Sequence, residues 1–180
     1  IFRMLFNSLG TLEPWLKNPR QQLSKKKLLV IGKGRIGSRV IKLMSPFLEV
    51  FNFDIIDDKI SKLKKLMKKE DCVTLHIPKT NSNISFIDEQ KLSWMRSDSI
   101  LINTSRGAIV DEKALYKEIK QKRLKAAFDV FWEEPYKGKL VKFHPNSFFM
   151  TPHVASTCSD FLLGCRKDLN SLIKEIELSK

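Results

Sequence analysis

Short, predominantly apolar runs punctuate the chain at 28–31, 48–53, 72–77, 100–103, 126–131 and 148–150, and each has the length of a β-strand. Between them apolar residues recur at three- and four-residue spacing, which predicts helices over about 35–45, 58–69, 88–95, 111–121 and 157–177. Runs that are apolar throughout, rather than at every second position, belong to strands covered on both sides. The expected fold is therefore α/β: a doubly wound parallel sheet with helices on both faces.

A length of 180 residues suits one such domain with a buried core and leaves little for a second. The chain opens on Ile1 inside what reads as a helix, so a longer polypeptide is expected. We divide it into a helical entry segment and hinge over 1–24, the sheet domain over 25–156, and a C-terminal helix over 157–180. The apolar stretch Ile1, Met4, Leu5, Phe6 and Leu9 is too short to span a bilayer or to act as a secretory signal, and it suggests a surface for self-association. Cys72, Cys158 and Cys165 form no CxxC pair and no Cys/His cluster, so neither a metal site nor a disulfide scaffold is expected, and a reducing cytoplasm fits. Cys158 and Cys165, seven apart, are expected as two packed thiols on one face of the last helix.

A formal charge of +13 raises the question of nucleic acid. The densest basic run is Lys59, Lys62, Lys64, Lys65, Lys68 and Lys69, but Ile60, Leu63 and Met67 recur through it at helical spacing. Those lysines then decorate the solvent side of an amphipathic helix. Lysines outnumber arginines by 25 to 8, a bias toward point charges rather than the planar forks that grip phosphates. We expect neither a nucleic-acid nor a membrane partner; strongly salt-dependent DNA binding would reverse the first expectation.

The sharpest local motif is Gly32-Lys33-Gly34-Arg35-Ile36-Gly37, directly after the strand at 28–31 and before a helix with Ile36, Val40, Leu43 and Met44 expected on one side. In a Rossmann-type βαβ unit the first glycine allows a tight turn and the second lets a pyrophosphate approach the backbone. The third lets helix and strand pack closely, while free N–H groups at the helix start face the anion. A glycine-rich turn that binds nothing is the alternative. Asp54, about twenty residues on at the end of the second strand, shifts the balance, because an acidic side chain there accepts from the adenosine ribose hydroxyls and repels a 2'-phosphate. NAD is favoured over NADP, although Asp57 and Asp58 could simply cap the next helix and the nearby Lys59 leaves the preference open.

Further along stand Leu75-His76-Ile77-Pro78, Ser93-Trp94-Met95, Ile102-Asn103-Thr104-Ser105-Arg106-Gly107, Val110-Asp111 and Ala114-Leu115. Then come Ala127-Phe128-Asp129-Val130-Phe131 with Glu134-Pro135, and Thr151-Pro152-His153. In order and spacing these resemble the signature of the D-isomer-specific 2-hydroxyacid dehydrogenases, of the phosphoglycerate dehydrogenase and glyoxylate or hydroxypyruvate reductase kind. The resemblance runs from about Trp15 almost to the C-terminus. Independently of it, Arg106, Glu134 and His153 follow the fourth, fifth and sixth expected strands, and Gly32–Gly37 follow the first. In a parallel sheet those ends share the edge where ligands bind, so a cation, a carboxylate and an imidazole are expected to converge near the cofactor.

The resemblance implies an oxidoreductase that interconverts a D-2-hydroxy acid and its 2-oxo acid with NAD. It implies that Arg106 holds the substrate carboxylate and polarises the oxo group, that His153 exchanges the proton, and that Glu134 orients His153 and favours its protonated form. It implies cofactor contacts from Gly32, Gly34, Arg35, Ile36, Gly37, Asp54, Ile77, Pro78, Thr104, Ser105, Arg106, Asp129 and His153. Asp129, a costly charge in an apolar strand, would meet the nicotinamide carboxamide. His76 is expected beside the cofactor loop and His144 in a surface turn, neither catalytic. The resemblance further implies a homodimer.

Departures from the family pattern are the absent N-terminal part of the substrate domain, Lys33 at a position more often apolar, and a loose match over Ala155-Ser156-Thr157-Cys158. Without that wall of the cleft the chain alone is expected to bind cofactor but to turn over substrate poorly or not at all. A noncatalytic NAD-sensing scaffold of the corepressor type, from the same family, is the other reading.

Overall fold

The computed structural model describes residues 22–155 and, beyond them, 157, 163–167, 169–170 and 173. Its sheet comprises β1 (Lys27–Ile31), β2 (Glu49–Phe53), β3 (Cys72–Leu75), β4 (Ile100–Asn103), β5 (Lys125–Phe128) and β6 (Phe148–Met150). The spatial order is β2-β1-β3-β4-β5-β6 and each neighbouring pair is parallel, so all six expected strands form the single parallel sheet that the apolar runs imply. The connections carry α1 (Arg35–Met44), α2 (Ile60–Met67), α3 (Glu89–Trp94) and α4 (Glu112–Lys120).

The core lies on both sides of the sheet because β1 is buried along its length. Leu29 and Ile31 face one cluster with Leu63 and Met67 of α2, Leu92 of α3, and Leu115 and Ile119 of α4. Leu28 and Val30 face the other, with Met44 of α1 and the partly buried Val40 and Ile41. Asp88 and Asp111 start α3 and α4 by accepting from the backbone N–H three residues on, at Lys91 (2.8 Å) and Ala114 (2.9 Å). The expected entry segment falls, apart from residues 22–24, outside the described residues, as do most of the C-terminal helix and Cys158; residues 163–167 are helical. Cys72 is a packed thiol pushed up to about 12 by burial, whereas Cys165 is exposed, contrary to expectation.

Three local expectations are corrected. In α1 the buried stripe is Gly37, Val40, Ile41 and Met44, the true i, i+3, i+4, i+7 set, while Ile36 and Leu43 lie off it at 58% and 68% exposure. Neither Asp57 nor Asp58 caps α2, whose first turn has no side-chain cap. Asp58 instead accepts from the Asp54 N–H (3.0 Å) and pairs with Lys62 (2.7 Å). Third, β3 and β5 stop at Leu75 and Phe128 rather than at 77 and 131, because their neighbours end there too. Phe53, Ile31, Leu75, Asn103, Phe128 and Met150 are successive register partners across the sheet. The flush edge matters for function, since every loop that follows it opens at the same level.

At the opposite edge Asp71 is buried but satisfied, accepting from the Lys27 N–H (2.9 Å), Lys26 Nζ (3.1 Å) and Arg96 Nη2 (2.5 Å). Its neighbour Glu70 is 1% exposed and its Oε2 has no hydrogen-bond partner among the described residues. Burial pushes the Glu70 carboxyl up from 4.5 to about 7. A carboxyl held above its unfolded value contributes stability that is complete at pH 4.5 and below and is lost as the pH rises through 7. Glu70→Gln, neutral throughout, should raise stability at pH 8 by about 1–2 kcal/mol and flatten the decline above pH 5. Urea unfolding at the two pH values checks this; an equal loss at both would contradict it.

Candidate active site and cofactor cleft

The order β2-β1-β3 reverses direction at β1, and ligands of open α/β sheets bind in the crevice outside the strand ends at such a switch point. Here the crevice is a cleft of about 580 Å³ lined by Gly34, Arg35 and Ile36 after β1, His76–Lys79 after β3, and Thr104–Arg106 after β4. Gly32 has φ 97°, and a Cβ on it would lie 2.5 Å from the His76 carbonyl oxygen, so the turn needs glycine and holds β1 against the β3 loop. A Cβ on Gly37 would overlap the Gly32 carbonyl, so α1 can start this close to the turn only with glycine there. Gly34 is different: nothing lies within 4 Å of where its Cβ would be. The open space at the start of α1 is a cradle that fits a pyrophosphate, as an NAD site requires.

Asp54 lies at the end of β2 beside this turn. Its Oδ2 accepts from the Lys33 N–H (2.8 Å) and its Oδ1 from the Ile56 N–H (3.1 Å). A carboxylate has about four acceptor sites, so these two bonds leave capacity on Asp54. His76 is part-buried beside the cofactor loop as expected; its Nε2 contacts Thr74 Oγ1 (3.1 Å), and burial lowers its pKa. Ser105 Oγ donates to the Leu75 carbonyl (2.6 Å) and so ties the β4 loop to β3.

The second cleft, of about 560 Å³, opens beyond β5 and β6. In it Glu134 Oε2 meets His153 Nδ1 at 2.9 Å, while Glu134 Oε1 accepts from the Phe131 N–H at 3.0 Å. A carboxylate can only accept, so Nδ1 carries the hydrogen and Nε2 is left to exchange a proton elsewhere. The bond from His153, then that from Phe131, lowers the Glu134 carboxyl below its usual range. Both side chains are 40% exposed, so the pair is accessible.

What holds His153 is Asp129, 5% exposed. Its Oδ1 accepts from Thr151 Oγ1 (2.5 Å) and the Val154 N–H (3.0 Å), and its Oδ2 from the Ala155 N–H (3.1 Å). These bonds bracket His153, whose φ is +52°. Protein donors thus already offset much of the burial of Asp129, and Oδ2 alone has acceptor capacity left.

Arg106 joins the others only in part. It is exposed, donates through Nη1 to the Ser105 carbonyl (2.6 Å), and lines the dinucleotide cleft rather than the cleft of the Glu134–His153 pair. No carboxylate among the described residues pairs with it. The two loops nevertheless touch at Gly107, where a Cβ would overlap the backbone of Phe131 and Trp132. Trp132 Nε1 donates to the Val110 carbonyl (2.7 Å) and Tyr136 to Glu112 Oε1 (2.6 Å), bracing the same junction. Neither the Gly107 contact nor these braces had a sequence signal beyond residue type. His144, set aside as a surface-turn residue, lines the cleft of the pair, with Nδ1 accepting from the Met150 N–H (3.2 Å).

A sequence profile described as "D-isomer specific 2-hydroxyacid dehydrogenase, NAD binding domain" matches residues 11–155. The chain is 35% identical over 132 residues to a D-3-phosphoglycerate dehydrogenase of Methanocaldococcus jannaschii, covering 64% of this chain and 24% of that protein. It is 35% identical over 138 residues to a glyoxylate reductase of Korarchaeum cryptofilum, covering 71% and 42%. The structure of a D-lactate dehydrogenase from Aquifex aeolicus, complexed with NAD and lactic acid, superimposes with a TM-score of 0.78 at 26% identity, covering 99% of this chain and 60% of that one. The chain thus spans less than two thirds of each of these relatives. A glycine cradle, an aspartate at the end of β2 and a carboxylate–imidazole pair occur at one edge of a parallel sheet over the stretch that the profile matches, and the chain belongs to the D-isomer specific 2-hydroxyacid dehydrogenases as their NAD-binding domain.

Proposed function

We propose that the intact protein is an NAD-dependent oxidoreductase that interconverts a D-2-hydroxy acid and its 2-oxo acid. The observation that carries this reading is the 2.9 Å Glu134–His153 pair, accessible at the same strand edge as the glycine cradle. Bound NAD would supply the hydride acceptor, and NADH the donor, held by Gly32, Gly34, Arg35, Ile36, Gly37, Asp54, Ile77, Pro78, Thr104, Ser105 and Arg106. Residual acceptor capacity on Asp129 Oδ2 suits a carboxamide N–H.

His153 keeps Nδ1 on Glu134 and presents Nε2, from which a proton passes to the carbonyl oxygen in the reductive direction and to which it returns in the oxidative one. The ionised Glu134 stabilises the positive ring that precedes the first transfer. Arg106, free of any carboxylate among the described residues, offers its fork to the substrate carboxylate and its charge to the oxo group. We assign the protein to the cytoplasm, on its cysteines outside any disulfide among the described residues, and propose a second copy of the chain as a partner. No helix among the described residues is long and apolar enough to cross a membrane.

Calorimetric titration with NADH and NADPH in parallel tests the cofactor half. NADH should bind more tightly, and Asp54→Ala should weaken it about tenfold by removing the ribose acceptor. A folded protein that binds neither would refute the reading. Turnover of glyoxylate or hydroxypyruvate by the intact protein tests the other half.

A further inference from the structure

Around Asp54 the charges are sorted in a way that the glycine motif does not require. Asp54 itself takes only backbone donors, from Lys33 and Ile56. Asp58 is neutralised by Lys62 at 2.7 Å. Lys33, inside the motif, would otherwise stand as a free cation beside the ribose carboxylate, since its own N–H is the group bonded to Asp54. Its Nζ is instead drawn to Asp57 Oδ2 at 2.9 Å. The hydrogen bond to Asp57, and then the charge of Asp57, raise the Lys33 pKa.

We infer that Asp57 sets cofactor selectivity by sequestering Lys33, so that the adenosine end of the cleft presents the negative charge of Asp54 and rejects the 2'-phosphate of NADP. An exposed ion pair contributes little to stability, and Lys33 and Asp57 are 39% and 57% exposed. The consequence of this pair is electrostatic: Lys33, Asp54, Asp57 and the Asp58–Lys62 pair sum to one negative charge, without Asp57 the charges of Lys33 and Asp54 cancel, and the exposed Lys59 beside them is common to both states. A freed lysine on a flexible stem is a phosphate-binding point charge. The selectivity of this chain therefore rests on two carboxylates: one that accepts from the ribose and one that disarms a lysine.

The inference rests on the proposed binding of the dinucleotide in this cleft, and the experiment separates the two. The intact protein, Asp57→Ala and Lys33→Ala/Asp57→Ala are titrated with NADH and NADPH at low and high salt. Asp57→Ala should improve NADPH binding relative to NADH by about tenfold. The gain should vanish in the double variant and shrink at high salt. An unchanged NADPH-to-NADH ratio in Asp57→Ala, or a gain that survives the loss of Lys33, overturns the inference while leaving NADH binding intact. Failure of the unsubstituted protein to bind NADH refutes the cofactor reading itself, and the inference with it. The two side chains are solvent-exposed, so the variants are expected to keep the fold, and circular dichroism verifies this.

Discussion

His153→Ala should lower kcat for reduction of a 2-oxo acid by the intact protein about 10²–10⁴-fold, with NADH affinity changed little. The side chain is 40% exposed and, among the described residues, its ring bonds to Glu134, so its removal leaves the core untouched and any loss reports on proton transfer. Glu134→Gln gives the sharper reading. The amide can still accept from the Phe131 N–H, but it cannot offer a negative charge to the ring. We expect a kcat loss of about 10²-fold at neutral pH, because the ring has lost the carboxylate that holds its Nδ1 hydrogen and offsets the positive charge of the transferring form. Steady-state rates across pH 5–9 check both variants. A Glu134→Gln variant that keeps native kcat would show that Glu134 serves only to hold the loop.

Gly107→Ala should damage stability and activity together. Its Cβ would meet the carbonyl of Phe131 and the amide of Trp132, backbone atoms that cannot rotate away. Relief requires the β4 loop, with Arg106, to separate from the β5 loop, with Glu134. Overpacking of this kind costs about 1–3 kcal/mol, and a misplacement of about 1 Å between reacting groups can cost about 10²-fold in rate. Urea unfolding and kcat/KM should therefore fall together. A variant with native stability and reduced activity, or the reverse, would mean that the junction does not couple the two loops.

Much of this site is legible in the chain because its cues are local. Gly32–Gly37 sit between an apolar run and an amphipathic helix, and Asp88 and Asp111 announce helix starts by their own side-chain chemistry. Glu134 and His153 could be placed on one edge because continuous apolar runs imply parallel strands, and flush ends follow from parallel pairing. Periodicity is less decisive where the apolar stripe is wide. Ile36 and Leu43 are apolar, yet Gly37 and Ile41 occupy the buried side of α1, since a glycine's contribution to packing is the space that it leaves.

Partnerships across long separations are another matter. Asp129 bonds to Val154 and Ala155, Trp132 to Val110, Asp54 to Lys33, and Gly107 lies on Phe131. Each pairing depends on where loops leave a twisted sheet, and no residue type reveals its distance to a residue twenty positions away. The same holds for Glu70, whose polarity suggests solvent until the surrounding chain closes over it. The sequence by itself determined the parallel sheet, the cofactor cradle and the chemistry of the three side chains at its edge, because periodicity, turn geometry and acid–base character are properties of short segments. Only the tertiary structure decided that Asp129 holds His153, that Arg106 opens onto the dinucleotide cleft, and that Asp57 claims Lys33, because hydrogen bonds and ion pairs are set by distances that exist only once the chain has packed.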